Sequence, residues 1–89
     1  MRLSEMEIDE NRMKLVREAQ FVSFAPCVEK MDVPILTFLD DEKFLDVLCA
    51  NSLIFAVICR EKMVERIPNS MGIITSNEPR YDFLCCLMK

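Results

Sequence analysis

Phe38 and Phe44 stand on either side of the acidic run Asp40, Asp41 and Glu42, inside the stretch ILTFLDDEKFLDVL (Ile35 to Leu48). Two aromatic rings at a strand-to-helix junction, where connections usually carry polar residues, have two readings. They are ordinary core packing, or they form a slot for a flat ring. Asp40 or Asp41 is placed to cap the following helix, because a carboxylate accepts the orphan amide hydrogens of a first turn. Together with Glu42 and Asp46 these carboxylates invite a cation, but nothing in the spacing gathers six oxygens around one point, and a capped, solvated helix start is the simpler reading. Arg80, beside Pro79 at the start of a helical pattern, is either a phosphate contact or a surface arginine. The adjacent pair Cys85 and Cys86 reads as helix packing, since neighbouring cysteines close only a strained disulfide.

Other chemistries are weakened by what the chain lacks. It contains no histidine, which removes the commonest general base and a principal metal ligand, and it has no C-x-x-C spacing. No catalytic residue and no metal site is expected, and no cofactor is implied. The net charge is −4, with no cluster of Lys and Arg, which argues against a nucleic-acid partner. The five cysteines, Cys27, Cys49, Cys59, Cys85 and Cys86, are odd in number and mostly lie within apolar patterns. They are read as reduced, buried, small hydrophobes of a cytoplasmic protein. The acidic start, with Glu5, Glu7, Asp9 and Glu10, has the wrong charge for a signal or transit peptide. The longest apolar run, Leu53 to Cys59, is too short for membrane insertion.

The elements that must position these residues follow from the pattern. With 89 residues, 52% apolar and 29% charged, the chain has the composition of one small globular domain. Residues 1–11 are polar and acidic, and a flexible or weakly structured N-terminus is expected there. Residues 12–89 form the domain. Met13 to Arg17 and Gln20 to Phe24 read as two short strands, followed by a loop bounded by Pro26 and Pro34. Ile35 to Phe38 is a short buried strand. Phe44, Leu45, Leu48 and Cys49 recur on one face of a helix that ends at Asn51 and Ser52. Leu53 to Ile58 has the continuous apolar run of a central strand. Arg60 to Arg66 predicts a helical turn before Pro68, and MGIIT another strand. A last helix begins near Pro79, with Tyr81, Leu84, Cys85 and Met88 sharing a face. This order predicts an α/β fold, a small single domain with a short, mainly parallel sheet flanked by helices. The last helix has no stop signal before Lys89, and the chain reads either as a piece of a longer protein or as a short natural one.

The segments VSFAPCVEKMDVPILTFLDDEKFLDVL, SLIFAVIC and MGIITSNEPRYDFLCCLM, in this order, resemble the N-terminal domain of the UDP-3-O-acylglucosamine N-acyltransferases of lipid A synthesis. The resemblance covers residues 20–89. It implies a small α/β unit similar to the N-terminal domain of the Mur ligases, which helps to bind the uridine of a UDP-sugar. Two aromatics flank the uracil in that family, and these positions fall on Phe38 and Phe44. A side-chain amide reads the base edge, and that position falls on Asp41. An amide both donates and accepts, whereas a carboxylate only accepts. The family's catalytic histidine and its site for the acyl carrier protein belong to a left-handed β-helix of hexapeptide repeats, of which this chain carries none. The resemblance therefore implies a nucleotide-sugar recognition domain that is not catalytic by itself, within an acyltransferase. The alternative is a scaffold or interaction domain that keeps the fold and has lost the ligand.

Overall fold

The run Ile54–Cys59 is apolar at every position, and a strand with that composition needs cover on both faces. In the computed structural model, which describes residues 1–27 and 31–88, it is the middle strand of the sheet. The strands are β1 (Met13–Arg17), β2 (Ser23–Phe24), β3 (Ile35–Leu39), β4 (Ile54–Cys59) and β5 (Gly72–Ser76). They lie in the spatial order β1-β5-β4-β3-β2. Neighbours from β2 to β5 run parallel, and β1 closes one edge antiparallel to β5. The fold is α/β, with a mainly parallel sheet, as the alternation of patterns predicts.

One position of β4 escapes cover. The register with β3 passes from Ile35 opposite Ile54 to Leu36 opposite Ala56, so Phe55 is the extra residue of a bulge. Its side chain is exposed, because a bulge residue drops out of the strand's alternation.

The helices cover the two faces separately. Helix α1 (Leu45–Ala50) and a 3-10 turn at Glu61–Arg66 lie on one face. There Leu45, Leu48 and Met63 pack over Ile35, Leu39, Val57 and Ile73. Helix α2 (Pro79–Leu87) lies on the other, where Phe83 joins Leu36, Ile58 and Ile74. Among the described residues no helix is long and apolar enough to cross a membrane.

Several details differ from the sequence reading. The second strand is only Ser23–Phe24, since Phe21 points into the core instead of extending the ladder. The N-terminal stretch is tied down at its start. The Met1 amino group donates to the Phe21 carbonyl at 2.8 Å, the Leu3 amide donates to Ala19 at 3.0 Å, and Leu3 is 1% exposed. One buried leucine among polar neighbours leaves no periodic signal. On α1 the buried stripe is Leu45 and Leu48, whereas Cys49 is exposed, because a helix of six residues presents one narrow stripe to the sheet.

Helix α2 turns the face opposite to the expected one toward the sheet. Tyr81, Leu84 and Met88 are exposed, and Pro79, Asp82, Phe83 and Cys86 are buried. The buried stripe contains a carboxylate, so hydrophobicity alone selects the wrong face. The loop expected between Pro26 and Pro34 contains residues 28–30, which lie outside the described residues, as does Lys89 at the end of the expected last helix.

Candidate functional site

The carboxyl ends of parallel strands are where open α/β sheets usually place ligands, because the connecting loops diverge there and leave a crevice. In this fold the connection after β2 supplies Pro26 and Cys27, and β3 supplies Phe38. The turn that follows supplies Asp40, Asp41, Lys43 and Phe44, and the first turn of α2 supplies Arg80. These residues line one cleft of about 380 Å³. That volume lies within the range of small-ligand pockets, roughly 300–1,000 Å³, and suits a ligand at the small end. A neighbouring depression of about 210 Å³ shares Asp40 and Asp41 and is otherwise lined by Glu42, Arg60, Lys62 and Met63.

The two aromatic walls are held differently. The Phe38 ring packs on Phe83 with centroids 4.9 Å apart and planes tilted by 46°. Phe83 meets Phe24 edge to face at 6.2 Å, and Phe24 meets Phe21 at 5.3 Å. Phe38 therefore ends a run of rings that reaches from the core to the cleft, and its position is set before any ligand arrives. Phe44 closes a 3-10 turn, Glu42–Phe44, and is 36% exposed. The Lys43 ammonium lies 5.1 Å from the centre of its ring, a cation–π contact that occupies part of the aromatic surface.

Asp41 caps that turn, its carboxylate accepting from the Lys43 amide at 3.0 Å. The cap begins a 3-10 turn that leads into α1, instead of beginning the α-helix directly. Asp40 is paired with Arg60 at 3.0 Å, and the Arg60 guanidinium also donates to the Asp40 carbonyl at 2.6 Å. Glu42 is paired with Arg66 at 2.8 Å. The acidic run is thus capped and paired. Among the described residues no group of three or more His, Cys, Asp or Glu is placed to hold a metal ion. Burial pushes the Cys27 thiol above its ordinary range, which keeps it protonated and weakly nucleophilic at neutral pH.

Phe38, Asp41 and Phe44, singled out from the sequence, are brought to one cleft. Arg80 joins them from the far end of the chain, at a position that the sequence leaves open between a phosphate contact and the surface. Lys43 and Cys27 were not anticipated. Lys43 carries no signal beyond its place beside Phe44, and Cys27 is masked by the apolar reading of all the cysteines.

What the fold and the cleft define is a small α/β domain with a ring-lined crevice at the carboxyl edge of its parallel strands. Compared with known proteins, the chain matches no family model, no curated protein and no solved structure.

Proposed function

We propose that this domain recognises the uridine portion of a UDP-sugar and serves as the nucleotide-recognition part of a cytoplasmic lipid A-type sugar N-acyltransferase. It supplies no catalytic group itself. In the parent protein a β-helix domain would carry the chemistry and meet the acyl carrier protein. The observation that carries this reading is that Phe38, Asp41 and Phe44 line one cleft at the carboxyl end of β3. The resemblance in the sequence assigns the same three positions to the uracil. Stacking on an aromatic ring contributes about 1–3 kcal/mol per base and needs no hydrogen bond.

Chemical-shift titration with UMP tests the reading. Binding is expected in the millimolar range, about 4 kcal/mol, with shifts concentrated at residues 38–44. Asp41→Asn is expected to tighten binding, because an amide donates to a uracil carbonyl where a carboxylate repels it.

A second reading, a scaffold domain without ligand, is favoured by two contacts. Phe38 is packed on Phe83, and the Asp41 carboxylate is engaged as a cap. Absence of UMP-dependent shifts near the cleft, in the wild type and in Asp41→Asn, decides for the scaffold.

A further inference from the structure

The cleft has an apolar wall and two cations, Lys43 and Arg80, that have no ion-pair partner among the described residues. Four arginines elsewhere are engaged within the protein. Arg12 bonds Asp82, Arg17 donates to the carbonyls of Pro68 and Met71, Arg60 pairs with Asp40, and Arg66 pairs with Glu42. Arg80 is exposed, lines the cleft and has no such partner among the described residues. The Lys43 ammonium faces the Phe44 ring and is in no ion pair among the described residues. Of the two carboxylates in the lining, Asp40 is compensated by Arg60, which leaves Asp41 against two cations. In a chain of net charge −4, this is a local excess of positive charge beside two aromatic rings.

We infer that the cleft takes a phosphate ester, with Arg80 and Lys43 as the groups that bind the phosphate and Phe38 and Phe44 as the wall for its ring. The ligand class is therefore a nucleotide, and a nucleoside or a neutral sugar lacks half of what the site recognises. Arg80 offers a planar fork of donors matched to phosphate oxygens, and Lys43 a compact charge on a flexible stem. They come from different elements, the turn after β3 and the first turn of α2. Phe83, on α2, packs against Phe38, on β3, so the two elements are locked together beneath the cleft. Phosphate binding also recruits the Lys43 ammonium, which now lies over Phe44, and clears that ring for stacking. The identity of the base rests on the uridine reading above; the phosphate does not.

The test is a set of chemical-shift titrations of the full chain with uridine, UMP, adenosine and AMP. They are made on the wild type, Arg80→Gln and Lys43→Gln, at low and high salt. Both substitutions are at exposed positions, and each variant's amide spectrum reports whether it is folded. UMP is expected to bind about tenfold more tightly than uridine at low salt, the value of one charge-assisted contact at an exposed site. That ratio is expected to fall toward one in Arg80→Gln and at high salt, where exposed charges are screened. Lys43→Gln is expected to reduce it in part. Equal affinity for UMP and uridine, with shifts at residues 38–44, overturns the phosphate inference and leaves the uridine reading standing. AMP and UMP binding alike, each tenfold better than its nucleoside, upholds the phosphate inference and removes the uridine reading. A full UMP preference in Arg80→Gln overturns the role of Arg80. No response to any of the four ligands overturns both proposals.

Discussion

The carboxylate of Asp82, 3% exposed on the buried face of α2, accepts a hydrogen bond from Arg12 Nε at 3.0 Å across 70 residues of chain. It also accepts from the Ser76 hydroxyl at the end of β5, and that hydroxyl in turn accepts from the Glu78 amide at 3.0 Å. A carboxylate in a buried helix stripe is tolerated only with partners of this kind. The network ties the segment before β1, the end of β5 and the start of α2 into one corner. The same contact holds the Arg12 guanidinium more firmly protonated than usual, chiefly through the hydrogen bond to Asp82.

Asp82→Ala is therefore expected to destabilise the fold by about 1–3 kcal/mol, because the buried Ser76 hydroxyl loses its acceptor. Asp82→Asn keeps one acceptor oxygen and is expected to cost less. Urea unfolding of both variants measures this. An Asp82→Ala protein as stable as the wild type would show that the corner is held by packing alone.

Glu18 predicts an acid-sensitive N-terminus. Hydrogen bonding from the Ser4 side chain is the main influence that lowers its carboxyl below the ordinary value, with further help from the Ser4 and Ala19 amides. A lowered folded-state value means that the contribution to stability is fully present above the ordinary value of 4.5 and is lost as pH falls through the folded value. Glu18→Gln is expected to have the lower melting temperature at pH 7, with the gap to the wild type narrowing in acid. Melting curves between pH 7 and pH 3 check the sign, and a gap that widens in acid would contradict it.

Gly72 lies against Leu3 and Ala19, the pair that ties down the N-terminal segment. A Cβ there would meet the Ala19 side chain, with Leu3 Cδ1 at 2.8 Å and the Ala19 backbone nitrogen at 3.0 Å. The Leu3 end can move, but the backbone cannot move without loosening the pairing of the Leu3 amide with Ala19. Gly72→Ala is expected to cost about 1–3 kcal/mol, the usual penalty of overpacking. Faster proteolysis near residues 1–5 is expected to accompany the lower stability.

The thiols separate into classes. Cys27, Cys49, Cys59 and Cys85 are free thiols. Cys59 is buried in the central strand, and burial pushes its thiol up to about 11, so alkylation is expected only on unfolding. Cys49 is exposed and is expected to react first. Cys27 is expected to react slowly and to be protected further by UMP if the cleft binds it. Mass-spectrometric labelling rates with and without UMP give all three results. Labelling of Cys59 as fast as Cys49 in the native protein would contradict the burial.

The α/β class, the strands β1 and β3 to β5, and the junction of β3 with its following turn were accessible from local pattern. β4 carries the unbroken apolar run of a strand covered on both faces, Pro79 sits at the first position of α2, and Asp41 provides the cap. These signals are written in neighbouring residues, and each is enforced by backbone geometry or by the period of burial. That Phe38, Asp41 and Phe44 share one setting also followed from sequence, because they belong to a single strand-turn unit.

Contacts distant in sequence were decided by the tertiary structure alone. Nothing local reveals that α2 buries Asp82 instead of Tyr81 and Leu84, because the stripe is selected by Arg12 and Ser76, which reach it from other elements. Nothing local distinguishes Cys49 from Cys59, or shows that Phe55 is expelled by a bulge. The same holds for the cleft: Arg80 meets the Phe38 wall only because α2 packs Phe83 against it. Hydrophobic pattern decides which residues avoid water, whereas partner geometry decides which polar residues are admitted among them, and that geometry exists only once the chain has folded.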